Sequence, residues 1–318
     1  MGARQTDAMA ASRSLLVLAN SAAGSADDAA VDAALAVLRG GADTEVVVPE
    51  GPEGIRAALR HAAGREVVVL GGDGSVHACV DALLNLGLLD GAGPVSVVPL
   101  GTGNDLARGL GLPQDPEEAA LVALQGVPQP MDLLLDDEGD LVVNVLHAGV
   151  GAEATAGAEE IKGALGTAGY ALGAVRAGVS TTGWCLRVTV DDEVVHDGSE
   201  RLLMVTVGLG SSIGGGARAV PQAQQGDGVA DVVLAAATGP VARTTFALEL
   251  RGGHHVGRKD VRTVRGRKVT VEAVDDDNAF RVNADGEVSG PMTSRTWTVL
   301  PRAWSCRVPA RGAAAAGS

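Results

Sequence analysis

Two short glycine turns carry the residues best suited to chemistry in this chain. Gly71-Gly72-Asp73-Gly74-Ser75 follows the apolar run 67–70, and Gly101-Thr102-Gly103-Asn104-Asp105 follows the apolar run 95–100. Apolar residues at helical spacing come next: Val76, Val80, Leu83 and Leu84 after the first turn, Leu106 and Leu110 after the second. The pattern is buried strand, glycine turn, helix, twice over. Glycine lets the backbone approach an anion without a Cβ in the way and reach positive φ. Unpaired N–H groups at the start of the following helix point at such an anion, and the helix dipole favours its charge. Two such turns on adjacent parallel strands open at one sheet edge, where open α/β sheets bind ligands. Each turn also holds a carboxylate, Asp73 or Asp105. Carboxylates beside phosphates repel them unless a cation lies between, so the pair points to a nucleotide with Mg²⁺. Neither turn is a Walker A loop, which needs Gly-Lys-Ser/Thr, and neither has the Gly-x-Gly-x-x-Gly dinucleotide spacing.

Two further acidic turns lie in the second half. Asn283-Ala284-Asp285-Gly286-Glu287 joins two β-type runs. Asp-Gly there reads as a hairpin turn, and a carboxylate within it as a general base. Gln224-Gln225-Gly226-Asp227-Gly228-Val229-Ala230-Asp231 precedes another strand and, by itself, is a plain turn.

The elements that must position these residues fall into two groups. A strand over 15–18, the Asn20 to Gly24 turn, a helix over 27–38, a strand over 45–48 and a helix over 53–62 precede the glycine turns. A helix over 115–124, with Asp115 as its N-cap, follows them. Alternating strand and helix predicts a parallel, doubly wound α/β sheet for residues 13–132. From Met131 onward β-type runs dominate, at 133–135, 141–146, 186–190, 202–207, 229–235, 261–264, 269–274, 279–282 and 296–300. With helices over 157–179 and 241–250, they predict an antiparallel β-sandwich for residues 133–308. Residues 1–12 and 309–318 are small, polar or of low complexity and are expected to be disordered tails.

Composition narrows the class. A net charge of −14 argues against nucleic acid as a partner, which needs a basic face. Hydrophobic residues make up 46% of the chain and aromatics only 2%, so the core is built from Val, Leu and Ala. Cys79, Cys185 and Cys306 have no metal-ligand spacing and suit a reducing compartment. No apolar run is long enough to span a bilayer, and the expected location is cytoplasmic. Met1-Gly2 with Thr6 fits the loose myristoylation pattern without a second anchoring signal, and is set aside. The basic stretch 251–268, rich in Arg and Lys on an acidic chain, suits transient contact with the anionic inner face of a membrane.

The run 69–75 followed by Pro99-Leu100-Gly101-Thr102-Gly103-Asn104-Asp105-Leu106-Ala107-Arg108 resembles the diacylglycerol kinase catalytic domain family, which includes bacterial lipid kinases and sphingosine and ceramide kinases. The first motif is shared with NAD kinases and phosphofructokinases; the second is much more specific to lipid kinases. The resemblance extends from Ser14 to Pro309. It implies two domains with ATP in the cleft between them and a lipid hydroxyl as acceptor, most simply diacylglycerol. It implies nucleotide contacts from Asn20, Gly24, Gly71, Gly72, Asp73, Gly74, Ser75, Gly101, Thr102, Gly103, Asn104, Asp105 and Arg108. The same family places a base in its Asp-Gly-Glu, here Glu287 ahead of Asp285, with the other as orienting partner. It also implies Mg²⁺ at Asp227 with the carbonyls of Gln224 and Val229, an ion that would link this turn to Asp73 and Asp105. Ser21, Val48, Ser75, His77 and Ala78 depart from the family's usual residues. Two alternatives remain at this point: a NAD kinase-like enzyme, and a non-catalytic lipid-binding protein that keeps the fold. A homo-oligomer is compatible with either.

Overall fold

The computed structural model describes residues 13–19, 25–62, 64–150, 152 and 183–310. Asn20, Gly24, the expected 157–179 helix, the 1–12 tail and residues 311–318 lie outside them.

The first unit runs β1 (Ser14–Ala19), α1 (Ser25–Gly41), β2 (Asp43–Val47), α2 (Gly51–Arg60), β3 (Glu66–Gly71), α3 (Asp73–Asn85), β4 (Ser96–Pro99), α4 (Asp105–Gly109) and α5 (Pro116–Gln125). Its four strands pair in parallel in the order β2-β1-β3-β4. Strand side chains alternate between faces, and both faces of this sheet are apolar. Leu15 and Val17 of β1 and Val68 and Leu70 of β3 pack on α1 and α5, while Leu16, Leu18, Val67 and Val69 pack on α2 and α3. Asp115 caps α5, its carboxylate accepting the N–H groups of Glu117 and Glu118 at 3.0 Å each.

The rest of the described residues form two antiparallel six-stranded sheets. Its strands are β5 (Val127–Asp136), β6 (Leu141–Val142), β7 (Val145–Gly149), β8 (Trp184–Val190), β9 (Glu193–Leu202), β10 (Met204–Gly208), β11 (Ala230–Ala235), β12 (Val261–Gly266), β13 (Lys268–Ala273), β14 (Phe280–Ala284), β15 (Glu287–Met292) and β16 (Ser294–Val308), with α6 (Pro240–Gly252) between β11 and β12. One sheet has the order β12-β11-β10-β7-β14-β15, the other β6-β5-β16-β13-β8-β9. Leu146, Val205, Val232 and Val282 from the first meet Leu134, Val188, Val269 and Trp297 from the second. A parallel α/β sheet followed by an antiparallel sandwich is the architecture expected from the sequence.

Several strands differ from the expected runs: that over 141–146 is divided into β6 and β7, β15 is additional, and β16 extends the 296–300 run in both directions. β9 is largely polar (EVVHDGSERL) and pairs along β8 as an edge strand, where only Val195, Gly198 and Leu202 are buried. The single run expected over 202–207 is divided at Leu203 between β9 and β10. β5 starts six residues earlier than the expected run at 133, despite Pro128 and Pro130, because its pairing there is with β16 alone and the side lacking a donor has no partner strand.

β16 closes the molecule. Beyond the break in register between Leu300 and Trp304, its end returns to the first unit, where the Val95 N–H donates to Ser305 and the Arg307 N–H donates to Val95. Trp304 and Cys306 lie in the core beneath α2 and α3, and the Arg307 guanidinium holds Glu66 on β3 at 2.8 Å. Asp132, within β5 and fully buried, accepts the N–H groups of Gly226 (3.1 Å), Gly228 (2.8 Å) and Arg302 (2.7 Å). It therefore ties the 224–231 turn and the β16 irregularity to the strand that joins the two units. Asp132→Asn puts an amide NH₂ against N–H donors. It is expected to cost about 2–3 kcal/mol of stability, read as a lower denaturant midpoint at unchanged slope.

Candidate functional site: the glycine turns and the acidic hairpin

β3 and β4 are neighbours and parallel, so their turns leave the sheet side by side. Gly72 is the only residue between β3 and α3. The N–H groups of Ser75 and Val76 are taken by the Gly72 carbonyl, whereas those of Asp73 and Gly74 have no partner among the described residues. In the second turn, Asn104 adopts a left-handed conformation (φ 52°), and its side chain closes on Gly101. Its Oδ1 accepts the Gly101 N–H at 3.0 Å and its Nδ2 donates to the Gly101 carbonyl at 2.8 Å. Asn104 is thus the brace of the turn, and the N–H groups of Thr102 and Gly103 are the ones left open among the described residues. Open amides from both turns form a set of donors suited to the oxygens of a polyphosphate. Arg108 donates from Nε to the Gly103 carbonyl at 3.0 Å and is otherwise exposed beside this set.

The turns touch. A Cβ on Gly101 would lie 2.5 Å from the Gly72 Cα and 2.8 Å from the Asn104 Oδ1. Only glycine at both positions allows that approach.

Asp73 and Asp105 do something the sequence reading did not foresee. The Asp73 carboxylate accepts the N–H groups of Asp105 (3.0 Å) and Leu106 (3.1 Å), fastening the first turn to the second. Asp105 in turn accepts from Gly215 (2.9 Å) and Gly216 (2.7 Å), in the loop between β10 and β11. Burial raises the Asp105 pKa above the usual carboxylate range, the two glycine amides oppose that, and the Asp73 charge adds to it. Each of the four oxygens already holds a backbone donor.

Asp285 and Gly286 form the two-residue turn between β14 and β15, both at positive φ (51° and 102°), as an Asp-Gly hairpin requires. The Asp285 side chain points inward and is only 2% exposed. It accepts the N–H groups of Val143 (2.7 Å), Asn144 (3.0 Å) and Val145 (3.1 Å), and lies 3.0 Å from Nδ1 of His77 on α3. The acidic hairpin therefore meets the helix that begins at the first glycine turn. The Glu287 carboxylate is exposed, with no hydrogen-bond partner among the described residues.

The Asp227 turn stands apart from that group. Asp227 is ion-paired with Arg265 of β12 and accepts the Val229 N–H at 3.2 Å, and Arg265 also reaches Asp231 at 3.2 Å. No hydrogen bond joins this turn to Asp73 or Asp105, which meet the 214–216 loop instead. Among the described residues no three acidic, His or Cys side chains converge on one point. Arg265 lies between Asp227 and Asp231, and of the expected ligand set only Asp227 brings a side chain on this turn, the rest being the Gln224 and Val229 carbonyls. The participants that sequence reasoning missed are Gly214-Gly215-Gly216, Asp132 and the His77 contact. The three-glycine run was a visible signal; the other two have none at the level of sequence.

A parallel α/β unit with paired glycine turns is closed by an antiparallel sandwich that sets an acidic hairpin beside them. Residues 14–135 match the diacylglycerol kinase catalytic domain, and residues 144–307 match the YegS C-terminal NAD kinase beta sandwich-like domain. A probable lipid kinase YegS-like protein of Pseudomonas aeruginosa is 32% identical over 78% of each chain. The diacylglycerol kinase of Bacillus subtilis is 28% identical over 74% of this chain and 76% of its own. A crystal structure of a diacylglycerol kinase from Bacillus anthracis superposes with TM-score 0.72 at 23% identity, covering 93% of this chain and 97% of that one. The chain belongs to the diacylglycerol kinase catalytic domain family and is an enzyme of the lipid kinase class.

Gly101→Ala drives a methyl group into the Gly72 backbone and must part the two turns. Nucleotide affinity, read by equilibrium binding, is expected to fall at least about tenfold, the equivalent of losing one or two of the open amides.

Proposed function

We propose that this protein is an ATP-dependent kinase that transfers the γ-phosphate to the hydroxyl of a lipid, diacylglycerol being the simplest acceptor. The observation that carries the reading is the contact of the two glycine turns at Gly72 and Gly101 with His77–Asp285 bridging to the acidic hairpin. Amide donors for a triphosphate and the acidic hairpin with its His77 contact then serve one reaction centre. Open amides at Asp73, Gly74, Thr102 and Gly103 hold the phosphates, with Thr102 and Arg108 as further donors and Ser75 on the first turn of α3. Mg²⁺ enters with the nucleotide, as the counter-ion of MgATP; each oxygen of Asp73 and Asp105 already accepts one amide, and Asp227 is paired with Arg265. Phosphoryl transfer is mostly positioning and charge stabilisation, which preset amides supply. Asn20 and Gly24, beyond the described residues, belong by family resemblance to the nucleotide side of the cleft.

A lipid acceptor requires approach to a membrane. Among the described residues no helix is long and apolar enough to cross one. α6 exposes Val241 and Leu248, at 77% and 73%, seven residues apart on one face. Arg251 at its end and Lys259 and Arg267 beyond it carry no ion pair among the described residues, whereas Arg258 and Arg265 are neutralised by Asp260 and Asp227. This part of the 251–268 stretch supports peripheral docking on an anionic inner leaflet.

Labelled ATP incubated with the protein and a mixed lipid extract is expected to yield a phosphorylated lipid, identified by mass. Labelling of NAD in the parallel reaction, with no lipid product, would move the assignment to the NAD kinase side. Binding to phosphatidylglycerol-containing vesicles is expected to weaken about tenfold or more between ~0.05 and ~0.5 M NaCl. Unchanged binding across that range would rule out electrostatic docking.

A further inference from the structure

Two groups at the hairpin can accept a proton, Glu287 and His77, and the structure treats them differently. Asp285 itself has no room for one. Its Oδ2 holds the Val143 N–H and faces His77 Nδ1, and its Oδ1 holds the N–H groups of Asn144 and Val145. Four donors fill the four lone-pair positions of a carboxylate. Glu287 is exposed and unheld, so it must be ordered afresh each time a substrate arrives. His77 is already in place: α3 fixes its backbone, Asp285 fixes its ring, and its side chain remains 17% exposed.

The Asp285 carboxylate only accepts, so the His77 nitrogen facing it, Nδ1, is the one that carries the proton. The neutral ring then presents its Nε2 lone pair, which has no partner among the described residues. Resting on the phosphoryl-transfer reading above, we propose that His77 Nε2 is the general base for the acceptor hydroxyl, with Asp285 as its positioning residue. The hydroxyl oxygen attacks the γ-phosphorus and forms the new P–O bond. The bond from that phosphorus to the β,γ-bridging oxygen breaks, and ADP leaves with its electron pair. The hydroxyl proton passes to Nε2 while the Nδ1 proton stays on the hydrogen bond to Asp285. The imidazolium returns its proton to solvent after the product departs. An Asp–His pair of this kind holds the tautomer and stabilises the imidazolium as it forms.

The electrostatics agree with the geometry. Burial lowers the His77 pKa, but the hydrogen bond to Asp285 and the charges of Asp285, Glu287 and Asp81 outweigh it, and the net shift is upward. Asp285 and Glu287 face the ring from the hairpin and Asp81 from its own helix. A base with a raised pKa is protonated and idle at low pH, so kcat is expected to rise as pH climbs through that raised value.

The test uses the full chain with MgATP and a short-chain diacylglycerol in mixed micelles, or the extract lipid that the wild type labels. His77→Asn should lower kcat about 100-fold or more, leave the KM for ATP within about twofold and abolish the acid limb of the pH profile. Asp285→Asn should lower kcat and move that limb to lower pH. Free imidazole in the buffer should restore part of the activity of His77→Gly, a response that a merely structural histidine would not show. If His77→Gly fails to fold, the pH profile of His77→Gln decides instead. Wild-type kcat with an intact acid limb in His77→Asn, or loss of that limb in Glu287→Gln alone, overturns the dyad and leaves the kinase reading standing. A wild type that labels no lipid overturns both.

Discussion

Backbone N–H groups that leave water must find an acceptor, and where distant turns of this protein meet, aspartate carboxylates supply it. Asp73 takes two amides of α4, Asp105 takes two of the 214–216 loop, Asp132 takes three from two separate turns, and Asp285 takes three from the 143–145 segment. Each carboxylate binds a stretch far from it in the chain, 32 residues away for Asp73 and more than 90 for the others. Without these contacts, the two glycine turns, the sandwich loops and the hairpin would be separate surface features. With them, the glycine turns, the 214–216 loop and the hairpin are fastened into one connected group.

The same economy sets the character of the acidic residues in the glycine turns, whose four oxygens each hold one backbone amide. A carboxylate oxygen that already holds an amide has less to offer a cation. The donors left over are amides, those of Asp73, Gly74, Thr102 and Gly103, and amides suit an anion. Asp227 shows the alternative arrangement, a carboxylate whose counter-charge is a guanidinium of the same chain. Asp285 shows a third, in which saturation of one carboxylate hands orientation, and with it the capacity to react, to the neighbouring imidazole.

Much of the fold was legible because its signals are local. Alternation of apolar strand and helix runs marked the parallel sheet, Asp115-Pro116 marked a helix start, and Asp285-Gly286 marked a hairpin, and each of these stands where its local chemistry puts it. Less local features were lost. β9 has few apolar residues to announce it, since its pairing is supplied by β8. β16 runs through a break in register that no spacing rule anticipates, because its far end is held by Val95 and Glu66 of the other unit. Asn104 read as a ligand contact, but a side chain that can close a ring onto Gly101 three residues earlier does so first.

The sequence by itself determined the class of this protein. Glycine at 72 and 101, the strand–turn–helix order around each and the run 101–108 are covalent facts whose consequences act over a few residues. Tertiary structure decided what each carboxylate does. An aspartate beside phosphates, in a turn or in a hairpin looks the same in one dimension. Whether it meets an amide, an arginine or a histidine depends on chain segments brought together only when the two sheets and their helices bury their apolar faces.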